Sequence, residues 1–378
     1  GGSGTDRIDY RNYFGSSQGS KIFLQNANID TNNDNVGDVS VTSTTTTLTL
    51  SGLDTLADGD HTFFEITDGR GFTDYIYQEG DLTSDFENFY LTNRADTMVG
   101  DEGSNYVEAY EGNDTILGMG GDDRIDGHNG TDLIFGGEGV DSLNGESDDD
   151  TIYGENGDDV ITGGSGNDTL FGGADNDNIN AGTGNDIIYG GTGTDNINGS
   201  TGLDTIYNED GADTIDGGTE IDDLFYLGGT QGVNVRLDGT ANGSTDSFGN
   251  TETITNIENV TGTAFNDTFR GNDSENTIIG GDLDDTFYIS LGDDKIQGDA
   301  GSEDLIDFSE ITIDGTAGDS VIDNNIDLED QDNARFDVGG TEYNQSLFGI
   351  ENVNGSSKDD KITGTKSDQI DNTINGLD

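Results

Sequence analysis

The chain of 378 residues has no cysteine, no proline and no tryptophan, with only two histidines and 13 basic residues. Without cysteine there is no disulfide framework, so stability outside a cell has to come from another source. Thirteen Lys and Arg against 79 Asp and Glu leave a formal charge of −66. That balance excludes nucleic acid and anionic membrane surfaces as partners, because both are held mainly by Lys and Arg. No apolar run approaches a membrane span, so no transmembrane segment is expected. Low hydrophobicity with high net charge ordinarily reads as disorder. It need not where bound cations neutralise the charge.

Catalytic constellations are equally scarce. His61 opens "HTFFEIT" and reads as a strand end, and His128 reads as an exposed turn residue. There is no H-E-x-x-H for a zinc protease and no G-x-S-x-G elbow, and without Cys a nucleophilic triad lacks a candidate. Carboxylate pairs are abundant, so counting alone does not exclude a glycosidase pair, but most of the aspartates fall in a regular repeat that gives them another role. The expectation is a chain that is not an enzyme within these residues. The start, "GGSGTDRIDY", is neither a signal peptide nor an initiating Met. The end, "TINGLD", breaks off like the start of a further repeat, so a segment of a longer protein is expected.

What the chain does have is glycine, 61 residues of it, in a nine-residue rhythm. With Asp168 set as position six, the register runs without insertion from Leu91 to Phe225, which is 135 residues or 15 units. Position six reads Asp96, Asn105, Asp114, Asp123, Asp132, Asp141, Asp150, Asp159, Asp168, Asp177, Asp186, Asp195, Asp204, Asp213 and Asp222. Position eight is apolar in all 15, from Met98 to Leu224, and 11 of the 15 carry Gly at position four. A shorter block keeps the spacing with Asp267, Asn276, Asp285 and Asp294. Fainter traces surround Asp6 and Asp360. The organisation read from this is the end of an upstream repeat block at 1–10, a strand-rich insert at 11–90 and the main block at 91–225. An insert at 226–261, a second block at 262–307, an insert at 308–354 and the start of a third block at 355–378 follow. The leading borders "DFENF", "NIENV" and "GIENV" resemble one another, as do the trailing borders "DRIDY", "DDLFY" and "DLIDF". The inserts contain alternating stretches such as "TLTL" and "VNVRL" that read as short strands.

Three residues around position eight suffice for a short strand with one side chain inward, and the other six must turn the chain. Each nonapeptide is then half a coil, and residues 18 apart stack. Stacked carboxylates repel one another. A hard cation between the loops removes the repulsion, and calcium accepts six to eight oxygens from carboxylates and carbonyls. A metal-free solenoid would leave the charge unbalanced.

The pattern resembles the repeats-in-toxin, or hemolysin-type, family of calcium-binding nonapeptides. That resemblance implies an all-β fold, a right-handed parallel β-roll with strand-rich inserts, and multiple calcium ions as the cofactor. It implies metal ligation by Asp6, Asp114, Asp123, Asp132, Asp141, Asp150, Asp159, Asp168, Asp177, Asp186, Asp195, Asp204, Asp213, Asp222, Asp267, Asp285, Asp294 and Asp360. It also implies secretion from a Gram-negative bacterium to the outside or the cell surface, by the family's type I route. Departures from the pattern are Asp148, Asp175 and Glu220 at position four and Asn105 at position six, which put calcium binding at those loops in question.

Position nine points outward if position eight points in. One of its columns is Val99, Leu117, Phe135, Tyr153, Phe171, Tyr189, Tyr207 and Phe225; the other, beginning with Glu108 and Asp126, is polar. The aromatic column is a candidate interface, covered by an insert or by a neighbouring molecule, with surface sugar rings as a further possible ligand. Two functional readings follow. One is a calcium-binding structural protein of a surface layer, adhesin or extracellular fibre, partnered by self-assembly or by the rest of its own chain. The alternative is an accessory or secretion module of a larger extracellular enzyme or toxin.

Overall fold

The computed structural model describes residues 87–307, apart from Thr92, Asp101 and Asn242, together with isolated strands between residues 40 and 79 and further segments between 325 and 375. All regular secondary structure among the described residues is β, and none is helical. The fold is a parallel β-roll. The chain divides into two compact units, 1–181 and 182–378.

In the first unit, successive nonapeptides contribute strands to two sheets in turn. Thr97–Val99, Thr115–Gly120, Leu133–Glu138, Thr151–Asn156 and Thr169–Ala174 lie parallel in one sheet. Glu87–Tyr90, Asn105–Glu108, Arg124–Asn129, Ser142–Ser147 and Val160–Ser165 lie parallel in the other. Partners are 18 residues apart: Ile134 pairs with Ile116 and Ile152, and Leu143 with Ile125 and Ile161.

The central strands are six residues long, twice the expected three. Pairing resumes beyond position one, as between Gly137 and Glu155. The cause is the backbone's need for partners: with the coil this narrow, the turn's N–H and C=O groups find them in the next coil. To stay in that ladder while turning, position two is left-handed even where it is not glycine, at Met119, His128, Glu146 and Glu155. Such φ values cost roughly 1–3 kcal/mol for residues with a Cβ, so the stacked neighbours must over-determine them.

Position eight forms the core. Ile116, Ile125, Ile134, Leu143, Ile152, Ile161 and Leu170 are all buried, with at most 1% of their surface exposed. Each such side chain contributes about 1.5–3 kcal/mol on burial. One apolar residue per nine makes a thin core.

The second unit repeats this plan with an interruption. Thr205–Asn208 pairs with Asp223–Tyr226, which pairs directly with Asn259–Thr261, Asp223 opposite Asn259. That step takes 36 residues, the chain length of two coils, yet the strands are neighbours and the core register survives: Leu224 faces Val260, and Val260 faces Ile278. On the other sheet the intervening residues add three strands. Thr251–Thr255 continues the parallel order from Thr214–Asp216, Ser244–Thr245 turns antiparallel, and Asn234–Arg236 leads on to Thr268–Arg270. "VNVRL" is therefore a strand, as expected, and it is built into the sheet. Larger core residues follow, with Phe269 and Phe287 stacked at 5.4 Å. Lys295–Ala300 then pairs with Thr341–Phe348, whose antiparallel partner is Ala334–Val338. Among the insert residues of 11–90, His61–Asp68 and Phe72–Glu79 form an antiparallel hairpin that begins at His61.

Candidate metal centre: the aspartate columns

Position six follows the turn and precedes the buried strand. Its backbone is tied into the coil, and its side chain turns into the gap between coils. In the first unit the backbone N–H of Asp114 donates to Asp132 Oδ1 at 2.7 Å, that of Asp132 to Asp150 at 2.7 Å, and that of Asp150 to Asp168 at 2.8 Å. On the other side of the roll, Asp123 donates to Asp141, and Asp141 to Asp159, each at 2.8 Å, with Asp159 to Asp177 at 2.9 Å. The second unit has the same links from Asp186 to Asp204, Asp204 to Asp222, Asp195 to Asp213 and Asp267 to Asp285. Asp294 receives the N–H of Asn276 at 3.0 Å.

Sixteen of the 18 expected ligand aspartates lie in this arrangement, each with at most 3% of its surface exposed. Asp6 and Asp360 lie outside the described residues. Asn105 keeps the backbone link, its N–H donating to Asp123 Oδ1 at 2.7 Å, but brings no charge. Asp148, Asp175 and Glu220 hold φ of 75°, 77° and 78°, so the position-four bend persists without glycine.

One oxygen of each carboxylate is used by this ladder. The other, Oδ2, is buried with no hydrogen-bond donor in Asp114, Asp132, Asp141, Asp150, Asp159, Asp204, Asp222 and Asp285. Burial pushes these acids up: Asp114, Asp150 and Asp285 to about 8, Asp132, Asp159 and Asp222 to about 7, and Asp141 and Asp204 to about 6. The backbone N–H bond opposes the rise, and for Asp150 the charges of Asp132, Asp168 and Asp148 add to it. A metal-free column of ionised carboxylates is therefore unfavourable.

The orphan oxygens sit where a hard cation could use them. A Cβ on Gly145 would lie 2.3 Å from Asp150 Oδ2 and 2.7 Å from the carbonyl oxygen of Gly163. Glycine at position one thus leaves space in which a carboxylate of its own loop and a carbonyl of the next coil approach one point. Among the described residues, no three His, Cys, Asp or Glu side chains converge closely enough to hold a metal by themselves. Backbone carbonyls must complete any coordination shell, which is the oxygen-only chemistry suited to calcium.

Sequence reasoning missed three features. Glu258 takes the ladder place after Asp222, whose N–H donates to its Oε2 at 3.1 Å. Its spacing of 36 residues from Asp222 was a usable signal. Asp304 accepts the N–H of Asp285 at 2.8 Å, with one extra residue in the step. A second ladder runs along the exposed flank at position five: the N–H of Asn167 donates to Asp149 Oδ1 at 2.7 Å, and that of Asn176 to Asp158 Oδ1 at 2.9 Å. The Asn and Asp enrichment at position five was its visible trace. His128 is not simply a solvated turn residue; its Nδ1 lies 2.8 Å from Glu146 Oε2 and its ring stacks on Tyr110.

The expected interface residues stand on the outer face as two stacked runs. Phe135 and Tyr153 are 4.8 Å apart, and Tyr153 and Phe171 4.5 Å. Tyr189 and Tyr207 are 4.5 Å apart, and Tyr207 and Phe225 5.3 Å. All six are half-buried.

No helix among the described residues is long and apolar enough to cross a membrane. A search of the curated proteins finds no match to the chain. The profile of the RTX calcium-binding nonapeptide repeat matches in eight overlapping stretches, which together cover 90–224, and in one further segment, 255–287. These are the residues that build the aspartate columns and the thin core, and the segments 90–224 and 255–287 of this chain belong to the RTX calcium-binding nonapeptide repeat family.

Proposed function

We propose that this chain is a secreted structural protein of a Gram-negative cell surface, a surface layer, adhesin or extracellular fibre, that folds on calcium and assembles through the flat aromatic face of its roll. The segment boundaries and the ligand aspartates set out from the sequence are part of this reading. The observation that carries it is the buried, donor-less Oδ2 of successive position-six aspartates, most of them held above the ordinary carboxylate range by burial. Such a column needs cations to be stable while ionised. Because the pockets lie between coils, ion binding and folding are one equilibrium. A chain of charge −66 stays expanded where calcium is scarce and folds where it is abundant, which suits export before folding. The stacked rings on the outer face of each unit, Tyr153 among them in the first and Tyr189 in the second, favour lateral association of rolls.

Circular dichroism in chelator and in millimolar calcium, with electron microscopy of the calcium form, tests the reading. Strand signal that appears only with calcium, and ordered sheets or fibres under the microscope, support it. Equal strand content in both conditions refutes calcium-driven folding. Folded but strictly monomeric particles point instead to an accessory module of a larger extracellular protein.

A further inference from the structure

Where the main repeat block gives way to the inserted strands, the roll leaves a cavity of about 680 Å³. Its wall comes from the turns of successive coils: Tyr226 and Gly228, then Gly262 to Phe265, then Gly281 and Asp282, then Asp299 and Ala300. Strand pairing sets these segments side by side, Asp223–Tyr226 against Asn259–Thr261, that strand against Thr277–Asp282, and the last against Lys295–Ala300. The volume falls in the range of small-molecule sites.

Two kinds of surface meet there. The first is aromatic. Phe265 is half-buried in the wall, and its N–H donates to Thr263 Oγ1 at 3.1 Å. Tyr226 is buried, and its hydroxyl is already given to Glu252, at 3.1 Å. Phe248 stands at the edge: its Cζ would lie 3.3 Å from a Cβ on Gly228, and 40% of its surface is exposed. The turn that carries it is locked, because Asp246 Oδ1 accepts the N–H groups of Phe248, Gly249 and Asn250 at 3.0, 2.6 and 2.6 Å. An exposed ring held this firmly loses little freedom when a ligand covers it.

The second surface is acidic. Asp282 and Asp299 are exposed. Among the described residues the carboxylate of Asp282 has no partner, and that of Asp299 accepts only from the amide of Gln297. The wall contains no Lys, Arg, His, Asn or Gln, and the hydroxyl of Thr263 is engaged with Asp267 at 2.9 Å. Side-chain acceptors are therefore present and free side-chain donors are not. A neutral sugar would find acceptors but few donors, and an anion would be repelled. An ammonium group brings three donors and no acceptor, and aromatic rings attract both the cation and its methylenes.

We propose that this cavity binds an organic cation, a primary ammonium group on a short aliphatic stem, with the ammonium against Asp282 and Asp299 and the stem against the rings of Phe248 and Phe265. The site lies beside the aspartate columns and uses none of their carboxylates. It requires a folded roll and is independent of assembly.

The test is a saturation-transfer NMR titration of the calcium-loaded full chain with n-pentylammonium and with methylammonium, which carry the same charge. A chain of charge −66 collects both as counterions, whereas a site with an apolar wall prefers the longer stem. Pentylammonium should bind about tenfold more tightly or better. Phe248→Ala should abolish that preference, and Asp282→Asn should weaken pentylammonium several-fold without affecting 1-pentanol. Both side chains are exposed, and two separate variants keep the test open should one of them fail to fold. Nα-acetyl-lysine methylamide separates the sources of the group: binding of pentylammonium alone identifies a small amine, and binding of both admits a lysine side chain. Equal affinity for the two alkylammonium ions, or a preference that survives both substitutions, overturns the site. Displacement of pentylammonium by further calcium, but not by sodium at matched ionic strength, overturns it in favour of a metal.

Discussion

The backbone N–H of Asp132 donates to Oδ1 of Asp150 at 2.7 Å, while Oδ2 of Asp150 is buried with no donor. One side chain thus has two separable duties, one to the backbone ladder and one to a cation. Asp150→Asn preserves an oxygen for the ladder and removes the charge. Asp150→Ala removes both. The asparagine variant should need more calcium to fold, and the alanine variant should lose about 1–3 kcal/mol more through the unmet N–H. Calcium titrations followed by circular dichroism, with denaturant melts at saturation, check this. Identical behaviour of the two variants would show that the ladder bond contributes nothing.

The raised acids set the pH response. In the metal-free fold Asp114 and Asp150 stand at about 8 and Asp141 at about 6, against roughly 3.9 in an unfolded chain. Between these values the folded state holds protons that the unfolded state has released. Metal-free stability is therefore present in full below about pH 4 and is lost as pH rises toward about 8. Calcium needs the ionised forms, so protons compete with it over the same window. In chelator, acidification from about pH 8 to pH 5 should strengthen the strand signal, while the calcium midpoint should rise. A chelated chain whose strand signal ignores pH would contradict both.

Glycine at position four is required by neighbours as well as by φ. Gly157 has φ of 131°, and a Cβ there would fall 1.5 Å from the carbonyl oxygen of Gly139. A backbone oxygen in the middle of a ladder cannot move aside. Gly157→Ala should destabilise the calcium form by about 1–3 kcal/mol or more, as overpacking and backbone strain do. Gly120→Ala is the matched control, since its nearest contact would be Glu102 Oε2 at 3.3 Å. Thermal melts in calcium give the comparison, and equal melting temperatures would refute the steric argument.

The ring column separates stiffening from assembly. Tyr153 stacks on both Phe135 and Phe171. Tyr153→Ser should cost about 0.5–1.5 kcal/mol for each lost pair. Tyr153→Phe should restore that stability. If the face also joins molecules, Tyr153→Ser and Tyr207→Ser together should shift sedimentation in calcium toward the monomer. Lowered stability with unchanged sedimentation would leave the column an internal stiffener only.

The nine-residue spacing by itself determined the coil, the two sheets, the inward position eight and the two aspartate columns. All of these follow from one local rule repeated: a turn that needs glycine, a carboxylate at a fixed offset and one apolar residue per strand. Ile134 could be placed opposite Ile152, and Asp132 beside Asp150, by counting alone. The longer strands were not legible, because pairing at Glu155 depends on backbone groups whose only available partners lie in the next coil. Nor were the contact of Glu252 with Asn208 and that of Asp246 with Gly211. Those contacts join residues 44 and 35 apart across an aperiodic stretch. Periodicity specifies position only while each coil copies the one before; where it stops, the partners of a side chain are decided by how the inserted strands pack.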